Sequence, residues 1–94
     1  MVMSQESAEV VGLMALGWMA GNAELLPVFL GATGASEADV RAGASDLAFL
    51  GALLDFIMMD DAWVTAFCDA QGMAYEQPMY ARMALPGGEQ VHWT

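Results

Sequence analysis

Lysine is absent from this 94-residue chain, and arginine occurs only as Arg41 and Arg82. Two cations cannot neutralise the row of phosphates that a nucleic-acid groove must meet. Nor can they supply the polybasic cluster of an electrostatic membrane anchor. Cysteine and histidine each occur once, as Cys68 and His92, which leaves neither a disulfide framework nor a zinc ligand set. Long apolar runs are missing too. Val10 to Gly21 and Leu47 to Met59, the second interrupted by Asp55, fall short of the roughly 18–20 residues that cross a bilayer. The stretch Met1 to Glu9 is acidic where a secretory signal is positive, so the expected compartment is the cytoplasm.

What is present is acid and grease. Twelve acidic residues give a formal charge of −10, 57% of residues are hydrophobic, and the mean hydropathy is +0.45. Disorder is excluded, because acidic disordered chains are poor in apolar residues. No internal repeat or low-complexity tract divides the chain, so residues 1–94 read as one helical domain, with about 85–94 as a non-helical tail. Alanine, leucine and methionine dominate, while β-branched residues are few and scattered, a balance that favours helix over strand.

Helix signals recur along the chain. A first helix is expected from about Gln5 to Ala20, capped by Ser4 or Ser7, with Val10, Leu13, Met14, Gly17, Trp18 and Gly21 on one stripe. A second covers Ala23 to Thr33 with Asn22 as cap, and Pro27 either bends it or marks its true first turn. Ser36 and Asp39 form a capping box for a brief helix to about Ala42. Asp46 or Ser45 caps Leu47 to Met59, which is apolar almost all round and therefore reads as the buried central element. Asp60 caps a fifth helix to Gln71, and a sixth runs from Glu76 to Ala84, ahead of Pro86. The expected fold is all-α: five to six short helices around Leu47–Met59.

Each chemically suggestive group has a plainer reading beside it. Cys68 and His92 are the only nucleophile and base of a cysteine dyad, and nothing brings them together; a lone cysteine on an apolar helix face behaves as a small hydrophobe. Asp55, Asp60 and Asp61 lack the alternating spacing and glycine of a calcium loop, and capping accounts for Asp60. Gly12, Gly17 and Gly21 lack the Lys-Ser or Lys-Thr of a phosphate loop; Gly17 and Gly21, one turn apart, suit close helix approach. No catalytic residue, metal or cofactor is assigned, and an enzyme is the least favoured class.

The tryptophans and nine methionines remain. On helical stripes such residues usually form core, but methionine-rich faces also adapt to partners. A domain of this size buries only about two-thirds of its unfolded surface. With so few polar side chains, part of the exposed remainder must be apolar, and large exposed apolar patches mark interfaces.

The chain also resembles, over nearly its full length, a short family of bacterial, largely proteobacterial, proteins described as a domain of unknown function. The resemblance lies in Leu13-x-x-Leu-Gly-Trp-Met-Ala-Gly-Asn22, Glu24-Leu-Leu-Pro-Val-Phe-Leu30, Phe49-Leu-Gly-Ala-Leu-Leu-Asp-Phe56 and the closing Leu85-Pro-Gly-Gly with His92-Trp93. It implies an all-helical cytoplasmic protein in a signalling context, with no assigned activity and no catalytic residues to carry over.

The leading expectation is a non-enzymatic interaction module that binds a protein partner or itself through an apolar, methionine-containing face. Met79, Tyr80, Met83 and Trp93 are its named residues. Two alternatives stand: a carrier of a hydrophobic small molecule in a cavity lined by methionine and tryptophan, and an acidic decoy of a nucleic-acid-binding protein. Val91, His92 and Trp93 are expected to fold back onto the helices.

Overall fold

The computed structural model describes residues 3–86. Six α-helices follow one another: α1 (Gln5–Ala20), α2 (Leu26–Thr33), α3 (Glu37–Ala42), α4 (Leu47–Ile57), α5 (Asp61–Gln71) and α6 (Gln77–Ala84), with a 3₁₀ turn at Gly43–Ser45. No strand occurs among the described residues. The all-α expectation holds. The tail expected at about 85–94, with Val91, His92 and Trp93, lies almost wholly outside the described residues.

Local chemistry explains the boundaries. Ser4 Oγ accepts from the Ser7 amide and opens α1 at Gln5. Ser36 Oγ accepts from the Asp39 amide while Asp39 Oδ2 accepts from the Ser36 amide, a complete capping box for α3. Asp46 Oδ1 accepts from Ala48 and Phe49, and Asp60 Oδ1 from Ala62, to start α4 and α5. Gly34 and Gly72 end α2 and α5 at φ 77° and 71°, in the left-handed region that only glycine enters without strain.

Three expectations need correction. Asn22 does cap, accepting from the Glu24 and Leu25 amides, but it caps a turn; the helix starts at Leu26, where Pro27 fills the first-turn position that needs no amide donor. α4 ends at Ile57 rather than Met59, because Met58 and Met59 close into a turn before the Asp60 cap. In α1, the expected stripe of Val10, Leu13, Met14, Gly17, Trp18 and Gly21 is not the buried one. Ala8, Val11, Gly12, Ala15 and Met19 face inward instead, leaving Val10 56% and Leu13 43% exposed.

The core follows from these faces. α1 packs on α4 and α6, which also touch each other, and α5 closes against α1 and α4. α4 contributes Leu50, Leu53, Leu54, Phe56 and Ile57, all buried. Burial of each such side chain contributes about 1.5–3 kcal/mol. α4 is nevertheless not hidden on every side: Ala48, Ala52 and Asp55 follow a solvent-facing line. Aromatic rings link the outer helices to this centre. Phe29 of α2 meets Phe56 edge-on at 5.1 Å, Phe56 stacks on Trp63 at 4.8 Å, and Trp18 tilts against Phe67 at 5.5 Å. Among the described residues no helix is long and apolar enough to cross a membrane.

Candidate interaction surface

α6 is short and two-faced. Pro78 and Ala81 are buried, and Leu85 just beyond the helix is buried with them. The opposite face carries Glu76, Met79, Tyr80 and Met83 at spacings of three and four, the repeat that aligns side chains along a helix. Met79 is 46% exposed and Met83 58%, whereas Tyr80 is half-buried. Met79, Tyr80 and Met83 are thus gathered on one face; Trp93 lies outside the described residues.

Arg82 holds this helix in register with α4. Its Nε donates to Asp55 Oδ1 at 2.8 Å, and its Nη1 donates to the Pro86 carbonyl at 3.0 Å. The guanidinium lies over Gly51, where a Cβ would stand 2.5 Å from Nη1. This is the one ion pair among the described residues, and the 27-residue separation gave no sequence signal for it. Asp55 is engaged by Arg82 and Asp60 by the Ala62 amide, so Asp55, Asp60 and Asp61 do not converge on a common point.

Cys68 is fully buried, and burial, followed by the charges of Asp69 and Glu76, pushes its thiol pKa upward. A thiol in that setting keeps its proton and makes a poor nucleophile. Tyr75 donates to Asp69 Oδ1 at 2.8 Å, and this bond, with the Asp69 charge, raises the phenol pKa.

A second feature lies where α1 ends and α2 and α5 meet: an open cleft of about 360 Å³ walled by Trp18, Trp63, Leu25, Val28, Asn22 and Glu24. Both tryptophans stood out in the sequence as candidate lining residues; Glu24 reaches the wall through the turn that Asn22 caps, and Val28 from α2. No methionine lines this cleft. Other exposed apolar side chains (Val10 and Leu13 of α1, Met59 after α4, Tyr75 before α6) were not named as contact residues. Composition shows that some apolar residues must be outside, but not which.

The family described as Protein of unknown function (DUF3572) matches residues 5–88. No curated protein and no solved structure matches the chain.

Proposed function

The chain belongs to this family of unknown function, and we propose that it is a non-enzymatic interaction module presenting the outer face of α6 to a protein partner or to a second copy of itself. The observation that carries this reading is the exposure of Met79 and Met83 opposite the buried face of the same helix. Unbranched thioether side chains adjust to a partner's shape at little cost, which suits an adaptable contact surface. Cys68, the chain's one thiol, is buried and its pKa is raised, which makes it a poor nucleophile and supports a non-enzymatic role. A reducing compartment such as the bacterial cytoplasm suits a lone buried thiol, and a signalling context suits a small module of this kind.

The alternatives have less support. The cleft that a hydrophobic carrier would use is open and contains no methionine. A decoy of nucleic acid needs carboxylates arrayed for a basic partner, yet Asp39, Asp46 and Asp60 spend theirs on helix amides and Asp55 on Arg82.

The test pairs sedimentation velocity with binding of a neutral hydrophobic dye, neutral because a charge of −10 repels anionic probes. The wild-type chain should self-associate or enhance dye emission. The Met79→Ser, Met83→Ser double variant should do neither, while its stability stays within about 0.5 kcal/mol, as for exposed positions generally. A strictly monomeric wild-type chain with no dye response overturns the reading.

A further inference from the structure

We propose that the cleft between Trp18 and Trp63 receives the side chain of an arginine carried by a partner protein. The cleft shares no residue with the α6 methionine face, so this site is separate from the one proposed above.

The walls are of two kinds. Trp18 and Trp63 each pack on a core phenylalanine, tilted against Phe67 at 5.5 Å and stacked on Phe56 at 4.8 Å. Leu25, which is buried, and the half-exposed Val28 complete the apolar part. The polar part is acidic. Asn22 Oδ1 accepts from the amides of Glu24 and Leu25 at 3.1 and 3.0 Å, and that turn sets Glu24 at the wall. Among the described residues the Glu24 carboxylate has no ion-pair partner, because the one pair joins Arg82 to Asp55.

Aromatic rings beside an unpaired carboxylate select a cation with an apolar stem. The ring faces attract positive charge, the stem covers the hydrocarbon of Leu25 and Val28, and the carboxylate pairs with the head. Arginine fits better than lysine: its planar guanidinium stacks on indole and meets a carboxylate in two parallel hydrogen bonds. A volume of about 360 Å³ lies at the small end of ligand pockets, suited to one side chain rather than a lipid tail. The surrounding field agrees, since a net charge of −10 draws a basic partner.

The test follows the indole N–H resonances of Trp18 and Trp63 in the full-length chain during titration with N-acetyl-arginine amide, and separately with the neutral isostere N-acetyl-citrulline amide. A saturable shift of both indoles with the arginine probe, and little with citrulline, is expected. Glu24→Gln should weaken the arginine probe about twofold to fivefold, the scale of one exposed cation–π or ion-pair contact. Glu9→Gln, away from the cleft, should leave binding unchanged, as should the Met79→Ser, Met83→Ser variant. Equal shifts with both probes, a non-saturating shift, or an arginine affinity indifferent to Glu24→Gln overturns the proposal. None of those results bears on the methionine face, whose own test reads association.

Discussion

Gly12 and Gly17 belong to the same helix and have opposite surroundings. A Cβ on Gly12 would stand 3.0 Å from the Cβ of Leu50, so the missing side chain is what lets α1 lie against α4. Around Gly17 no atom lies within 4 Å of where a Cβ would be. The same contrast divides the whole molecule. Its inner seams are made by small residues set against large ones: Ala8, Gly12 and Ala15 on α1, Gly51 beneath Arg82, and Gly43 beneath the Phe49 ring. Its outer faces carry the large flexible residues, Met59, Met79 and Met83 among them. Hydrophobicity alone therefore does not decide which face turns inward here. In a chain this apolar every face qualifies, and close approach of the backbones selects among them.

The core should break most severely where one of its largest fully buried side chains is removed. Phe67 is fully buried and supports Trp18. Phe67→Ala should lower the unfolding free energy by about 3–5 kcal/mol, the usual cost of emptying a core aromatic site. Urea denaturation monitored by circular dichroism reads it, and a loss near 1 kcal/mol would mean that α5 is peripheral to the core.

The two glycines give the sharpest comparison, because one substitution should change sign between them. Alanine is preferred to glycine inside a helix by about 1 kcal/mol. At Gly17 nothing opposes that gain, so Gly17→Ala should stabilise the chain by about 0.5–1 kcal/mol. At Gly12 the new methyl meets Leu50 Cβ, an atom fixed to the backbone that cannot rotate away. Overpacking of this kind costs about 1–3 kcal/mol, so Gly12→Ala should be net destabilising despite the helix preference. Thermal melts of the two variants beside wild type decide it. If both variants gain stability, α1 and α4 can separate freely and the seam is not the organising contact.

Sequence reading succeeded where structure is set by chemistry within one turn, and failed where it is set by packing between helices. Ser4, the Ser36–Asp39 box, Asp46 and Asp60 were all legible, because a cap needs only an oxygen and an amide a few residues away. The inward face of α1 was not. Val10 and Leu13 outrank Ala8 and Ala15 in hydrophobicity, yet the smaller pair lies inside because α4 and α6 approach there. The Arg82–Asp55 pair depends on α4 and α6 lying side by side, which no local pattern encodes. Of the contact face, Met79, Tyr80 and Met83 could be grouped by helical spacing alone. The tryptophan cleft needed the turn at Asn22 to bring Glu24 beside rings from α1 and α5.

The smallest effect separates the two regions by titration rather than by substitution. Cys68 lies on the buried side and Tyr75 on the exposed side, and both pKa values are raised, from 9.0 and 10.0 respectively. A raised value means that the folded chain keeps a proton which the unfolded chain gives up, so alkali favours unfolding. Stability from the Cys68 thiol is fully present below pH 9.0 and declines as pH rises beyond it. Tyr75 acts in the same direction from pH 10.0, but its exposure to water screens the effect. Urea midpoints between pH 7 and 10.5 should therefore stay level and then fall. Cys68→Ala should remove the earlier part of that fall, and Tyr75→Phe should change the curve only slightly. A Cys68→Ala curve that falls with pH just as the wild type does, or a wild-type thiol that reacts with iodoacetamide at pH 8 as fast as the unfolded chain does, would place Cys68 in contact with solvent and move α5 from the inner seam to the outer surface.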